Sequence, residues 1–178
     1  MSSQYLFVLV NIIGGVSVIG GYILGLSMYS EHREALWGGV NGHLRTVFTI
    51  SMLLAATGYI IFCYATIVKG GAEEFGVNHI FGQHSLSITS AIFLISASLW
   101  MPTTIAFVHT GVSYWWVIAI SSLWVTALSL LWMTAIVAFS DPQSIAGITK
   151  YSSVIGLAYI TFHCMILDAV CWVWLFNK

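Results

Sequence analysis

Charge is what this sequence has least of. Five lysines and arginines and six aspartates and glutamates make up 6% of its 178 residues, where a soluble domain carries roughly 25% charged residues. So few charges would leave most of a water-exposed surface uncovered. The formal net charge is -1 and no basic run is present, so nothing suits the phosphates of a nucleic acid or an anionic lipid surface. Cysteine is scarce too. Cys63, Cys164 and Cys171 are odd in number, lie within apolar stretches and form no C-x-x-C pair, which argues against a disulfide framework or a zinc site. Proline occurs at two positions, and polar sequence is too short to hold a linker or a second module. The N-terminal MSSQYLFVLVNIIGG lacks the basic leader of a signal peptide and reads as the start of the first apolar stretch.

What is present is apolar sequence, 59% of the chain. It falls into five long stretches, at about residues 5–28, 46–68, 86–108, 116–139 and 154–176. A hydrocarbon core about 30 Å thick is crossed by about 20 helical residues at 1.5 Å each, and each stretch meets that length. The expected fold is therefore one domain, an all-α integral membrane bundle of five helices, with the lipid bilayer as its first partner. Tyr114, Trp115, Trp116, Trp172 and Trp174 lie near the ends of stretches and would form an interfacial aromatic belt. Arg33, Arg45 and Lys178 share one side and Lys69 and Lys150 the other. That count places the C-terminus in the cytoplasm.

Packing signals follow. In the first stretch Asn11, Gly14, Ser17, Gly21 and Gly25 recur every three to four residues, one stripe on a helix. Gly21 and Gly25 form a G-x-x-x-G pair suited to close helix contact. Only HTGVSYWW separates the third and fourth stretches, which should pack as an antiparallel pair. Pro102 interrupts the third, and Thr103 or Thr104 would satisfy the carbonyl it frees. No internal repeat is visible.

The fifth stretch, VIGLAYITFHCMILDAVCWVWLF, carries Asp168 and His163 at depth. Ionisable groups there are costly and face a protein interior or a wet cavity. On an α-helix Thr161, Cys164, Asp168 and Cys171 share a face. His163, five residues before Asp168, lies about 140° around the helix, so the two are not expected to pair. Asp168, His163 and Thr161, with Ser122, Thr126 and Ser129 of the fourth stretch, are the candidate lining of a cavity for a proton or small solute, shaped by Pro102. A carboxyl that fastens two helices is the plainer role for Asp168. His79 and His84, beside Glu73 and Glu74, form a candidate metal site, although their spacing does not place them on one helical face. No cofactor is indicated: a bis-histidine haem needs a second histidine at the depth of His163, and His43 and His109 lie near span ends. The functional expectation is transport or binding of a small solute or proton. The alternatives are an accessory subunit of a larger membrane complex, or a homo-oligomer built on the same surfaces, and a metal-dependent membrane enzyme.

Overall fold

A computed structural model describes residues 2–75, 82 and 84–176. Every element among them is helical. Helix α1 spans Ser3–Met28, a 3₁₀ turn Ser30–His32 and the short α2 Arg33–Trp37 follow, and α3 spans Gly42–Val68. The single turn α4, Gly71–Glu74, precedes α5 (Ser85–Thr110) and α6 (Ser113–Ala138). The fifth long helix begins as α7, Gly147–Phe162, continues as a π-helix over His163–Trp172, and ends in the α-turn α8, Val173–Leu175. Five helices are thus long and apolar enough to cross a membrane. They overrun the apolar stretches at several ends, because backbone hydrogen bonding does not stop where hydropathy does: α3 takes in His43 and Arg45, and α7 takes in Thr149 and Lys150.

The helices pack in the order α1, α5, α6, α7 and α3, with α5 against α6 the most extensive pair. Gly111 makes that hairpin possible. It ends α5 with φ +69°, a left-handed conformation that costs glycine little. Within the pair, the Ser96 and Thr126 hydroxyls hydrogen-bond at 2.8 Å. Helix α1 reaches α3 through Phe7, edge-on to Phe62 at 5.7 Å, and through Asn11, whose side-chain oxygen accepts from the Tyr59 hydroxyl at 2.6 Å.

The stripe of α1 meets α5 at Gly14 and Gly25, while Ser17 is exposed and Asn11 turns to Tyr59 of α3. A Cβ on Gly14 would fall 2.5 Å from Leu94, and one on Gly25 would fall 2.9 Å from Met101 and Ile105. Gly21 has nothing within 4 Å, since it lines a groove of about 430 Å³ between α1 and α5. Only half of the G-x-x-x-G pair is therefore a contact. A closer approach occurs between α3 and α7. A Cβ on Gly156 would lie 2.4 Å from the Gly58 carbonyl oxygen, and one on Gly58 would lie 2.6 Å from that of Gly156. Backbone meets backbone there.

The segment between α1 and α3 folds over one end of the bundle. The Trp172 indole N–H donates to the Leu36 carbonyl at 3.0 Å. Gly38 packs on Phe176, and Gly39 on the Leu175 backbone. Arg33 donates to the Leu26 carbonyl at 2.7 Å, and Arg45 pairs with Glu34 at 2.8 Å. At the opposite end Glu74 accepts hydrogen bonds from the backbone N–H and the hydroxyl of Ser144, and the Lys150 ammonium donates to the Ser140 carbonyl at 2.5 Å.

The expected aromatic belt divides. Tyr114 and Trp174 point outward, but Trp116 and Trp172 are 4% and 5% exposed. Those two join Trp100, Phe107 and Phe176 in an aromatic core with ring centroids 4.6 to 6.1 Å apart. Position near a helix end sets depth, while the angle around the helix decides whether a ring faces in or out.

Candidate functional site

The fifth helix brings together what an α-helical reading keeps apart. A π-helix hydrogen-bonds residue i to i+5 and is wider than an α-helix, so side chains five apart come to neighbouring angles, and His163 and Asp168 both lie in such a segment. Their side chains meet, His163 Nε2 lying 3.6 Å from Asp168 Oδ1. The expected separation of about 140° holds only for 3.6 residues per turn, and the change of helix type overturns it.

On its other side the His163 ring is held by α3. Nδ1 is 2.9 Å from the Ser51 hydroxyl, which also accepts from the Tyr159 hydroxyl at 3.2 Å. Tyr159, Ser51, His163 and Asp168 thus form a continuous polar line. Tyr159 and His163 are four residues apart on an α-helical turn, and the Gly58–Gly156 crossing brings Ser51 within reach of both. His163 is 3% exposed, whereas the Asp168 side chain is 29% exposed. The Cys164 thiol lies beside the Asp168 carboxyl, and Tyr22 of α1 is within electrostatic reach of both. Tyr22 itself packs on Trp100 at 5.7 Å.

The charge balance around Asp168 is simple. Arg33, Arg45 and Lys150 are bonded at the bundle ends, and Lys69 lies over the Tyr64 ring. Among the described residues His163 is the one group in contact with Asp168 that can become a cation. An unpaired charge is costly in such surroundings, so the charge on one residue depends on the other.

The remaining candidates lie elsewhere. Thr161 donates to the Leu157 carbonyl at 2.7 Å and meets Thr134 of α6 at 3.1 Å, fastening α6 to α7. Ser122 and Ser129 bond carbonyls of their own helix, those of Ala119 and Thr126, and Thr126 bonds Ser96. These three fourth-span residues are buried in contacts of α6 and have no hydrogen bond to Asp168 or His163. Pro102 is exposed on α5 and lines the outer groove with Gly21 and Gly25. Nor do its threonines take the freed Ser98 carbonyl. Thr103 bonds the carbonyls of Leu99 and Trp100, and Thr104 that of Trp100, because a helical threonine reaches back three or four residues. His84 is exposed just before α5, and His79 lies outside the described residues. No group of three metal-ligating side chains occurs among the described residues.

Compared with known protein families, curated proteins and solved structures, the chain matches none. The site is therefore read from its own chemistry. The groove between α1 and α5 and the one between α5 and α6 include neither Asp168 nor His163. Ser51, Tyr159 and Tyr22 are the members that sequence reasoning missed. For Tyr159 there was a signal, its i, i+4 spacing from His163. For Ser51 and Tyr22, on other helices, there was none.

Proposed function

We propose that this chain is a five-span membrane protein whose fifth span takes up and releases a proton at the Asp168–His163 pair, in support of binding or moving a small solute. The observation that carries the reading is His163 held between Ser51 and Asp168 on the one long helix with an acid in its interior. With the pair at its lower protonation, His163 is neutral and directs Nε2–H to the Asp168 carboxylate, and Nδ1 accepts from the Ser51 hydroxyl. Uptake runs along the line. A proton arriving at the Tyr159 oxygen displaces the phenolic proton to Ser51, and the Ser51 proton passes to Nδ1. The imidazolium so formed gives its Nε2 proton to the Asp168 carboxylate, which leaves a neutral carboxylic acid beside a neutral imidazole. Release reverses each transfer. The basic residues Arg33 and Arg45 favour a cytoplasmic location for the end of the bundle that they occupy.

Infrared difference spectra of protein reconstituted in vesicles test this. A carboxyl band that titrates with pH and vanishes in Asp168→Asn is expected, with Ser51→Ala keeping the band but slowing proton exchange by about a hundredfold. A carboxyl that stays in one protonation state at every pH would make Asp168 a helix fastener.

A second reading, an accessory subunit or homo-oligomer, is favoured by α1. Only 6% of its most apolar 18 residues are buried, and Gly15 and Gly20 have nothing within 4 Å. An unpartnered helix face with open glycines suits another helix as well as lipid. Purification in mild detergent separates the two: stoichiometric partners support the subunit, and a monomer that still exchanges protons speaks against it. A metal-dependent enzyme has less support, since His84 gathers no further ligands among the described residues.

A further inference from the structure

Helices α1 and α3 meet at one end only. Gln4 donates to the Ile67 carbonyl at 2.8 Å, Phe7 sits edge-on to Phe62, and Asn11 accepts from Tyr59. Beyond Asn11 no hydrogen bond or ring contact joins the two helices among the described residues. The face that α1 turns to α3 continues all the same, since Gly15 and Tyr22 follow Asn11 at i+4 and i+11. A Cβ on Gly15 would meet nothing within 4 Å. On α3 the face of Cys63 and Tyr59 continues to Ala56 and Met52. Both are exposed, Met52 by 42%. The two faces are aligned but apart.

The far end of this gap is strapped. The segment after α1 is tied to α1 by Arg33, which donates to the Leu26 carbonyl, and to α3 by Glu34, which pairs with Arg45. The gap is therefore closed at both ends and opens at the side of the bundle. Asp168 borders it. The carboxyl lies within electrostatic reach of Tyr22 on α1, and its neighbour His163 is bonded to Ser51 on α3. The Asp168 side chain keeps 29% of its surface accessible, and the 3.6 Å approach of His163 is too long for a hydrogen bond. A carboxylate accepts several hydrogen bonds, so this one has positions to spare. Arg33, Arg45, Lys69 and Lys150 are held elsewhere. An accessible carboxylate in an apolar gap suits a cation from outside the chain.

We propose that the gap between α1 and α3 admits a lipophilic amine from the bilayer, whose ammonium pairs with the Asp168 carboxylate in exchange for its proton. The proposal rests on the proton-exchange reading, since the ammonium takes the place of the exchanged proton. A ligand that enters from the side dissolves first in the bilayer, which requires an apolar body. The carboxylate sets the sign of its head, and the Tyr22 ring, packed on Trp100, adds an aromatic surface for the cation. The displaced proton leaves through His163, Ser51 and Tyr159. One positive charge enters as one leaves, and no unpaired charge remains in the bundle. The titratable groups around Asp168 are His163 and Cys164 on its own helix and Tyr22 on α1. Helix α3 presents Ser51, which does not titrate, and carries His43 and Arg45 in its first turn. The titratable residues of α5 and α6, His109 and Tyr114, lie at exposed helix ends, and Glu34 is paired with Arg45.

Dodecylamine, added to the protein in phosphatidylcholine vesicles, tests this through the infrared band of the Asp168 carboxyl. The ammonium binds the carboxylate form alone, so the pH midpoint of the band should fall. The expected fall is about one unit for each tenfold rise in amine above its dissociation constant. Dodecanol, with the same chain and no charge, should leave the midpoint in place. Gly15→Leu, and Ala56→Leu on the facing wall, should lose the shift. Gly20→Leu, at an open glycine of α1 off this face, should keep it. An equal shift in every variant means that the amine acts only through the charge it gives the bilayer. That result, or no shift in the parent chain, overturns the site and leaves proton exchange standing. So does a shift with dodecanol as large as with the amine, which would mark the gap as a seat for a lipid acyl chain. A band that never changes with pH, with or without amine, overturns both.

Discussion

Gly156→Leu is expected to be the most damaging single substitution in the molecule. A side chain there meets not another side chain but the Gly58 backbone, with the first carbon already 2.4 Å from a carbonyl oxygen. No rotamer relieves that contact, so α3 and α7 must separate. Alanine alone should cost about 3 kcal/mol, the upper part of the range for overpacking, and leucine enough to leave little folded protein. The damage extends to the site, because the same crossing brings Ser51 to His163 and Tyr159. Gly15→Ala and Gly20→Ala are the controls, since nothing lies within 4 Å of either. There the added methyl should be neutral or stabilising by about 0.5–1 kcal/mol. Unfolding of the purified protein in mild detergent, by heat or by a denaturing detergent, ranks the four variants. Equal losses at Gly15 and Gly156 would mean that the α3–α7 crossing is not what holds the bundle.

Trp172→Ala should follow, with a loss of about 3–5 kcal/mol. The indole is 5% exposed and touches Trp100, Trp116 and Phe176, with centroids 5.4, 5.7 and 4.8 Å away. Its removal opens a cavity in the aromatic core and strands the Leu36 carbonyl. Trp172→Phe separates the two effects. It keeps most of the packing and gives up the hydrogen bond, about 1 kcal/mol. Because Trp172 also pins the far end of the π segment, the alanine variant should weaken the coupling of His163 to Asp168 as well as the fold. The same unfolding measurement reads the first effect, and the Asp168 carboxyl band reads the second. If phenylalanine and alanine cost the same, the hydrogen bond to Leu36 carries the whole contribution of this residue.

Much of this architecture was legible beforehand, for reasons that can be stated residue by residue. Five runs of apolar residues, free of charge except for Asp168 in the fifth, determine five long helices, because every backbone polar group in an apolar medium must be satisfied within its own segment. The short turn at Gly111 determines that α5 and α6 are neighbours. The spacing of Gly14 and Gly25 determines a contact face on α1. Asp168 stands out because a carboxylate in an apolar run has few ways to be stable. Each of these follows from local composition and a known helical period.

The tertiary structure decided the rest. That Gly58 and Gly156 face each other depends on how two helices distant in sequence cross, and neither glycine signals its partner. The inward angle of Trp116 and Trp172 depends on which side the neighbours occupy. Ser122, Thr126 and Ser129 share a face, as their spacing requires, but that face is spent on contacts within the bundle. The pairing of His163 with Asp168 shows the limit most clearly. Sequence reasoning assumes one helical period along a run, whereas packing pins this helix at both ends and the residues between them take a different turn. A period of 3.6 keeps the two side chains on different faces, and the π turn brings them to 3.6 Å.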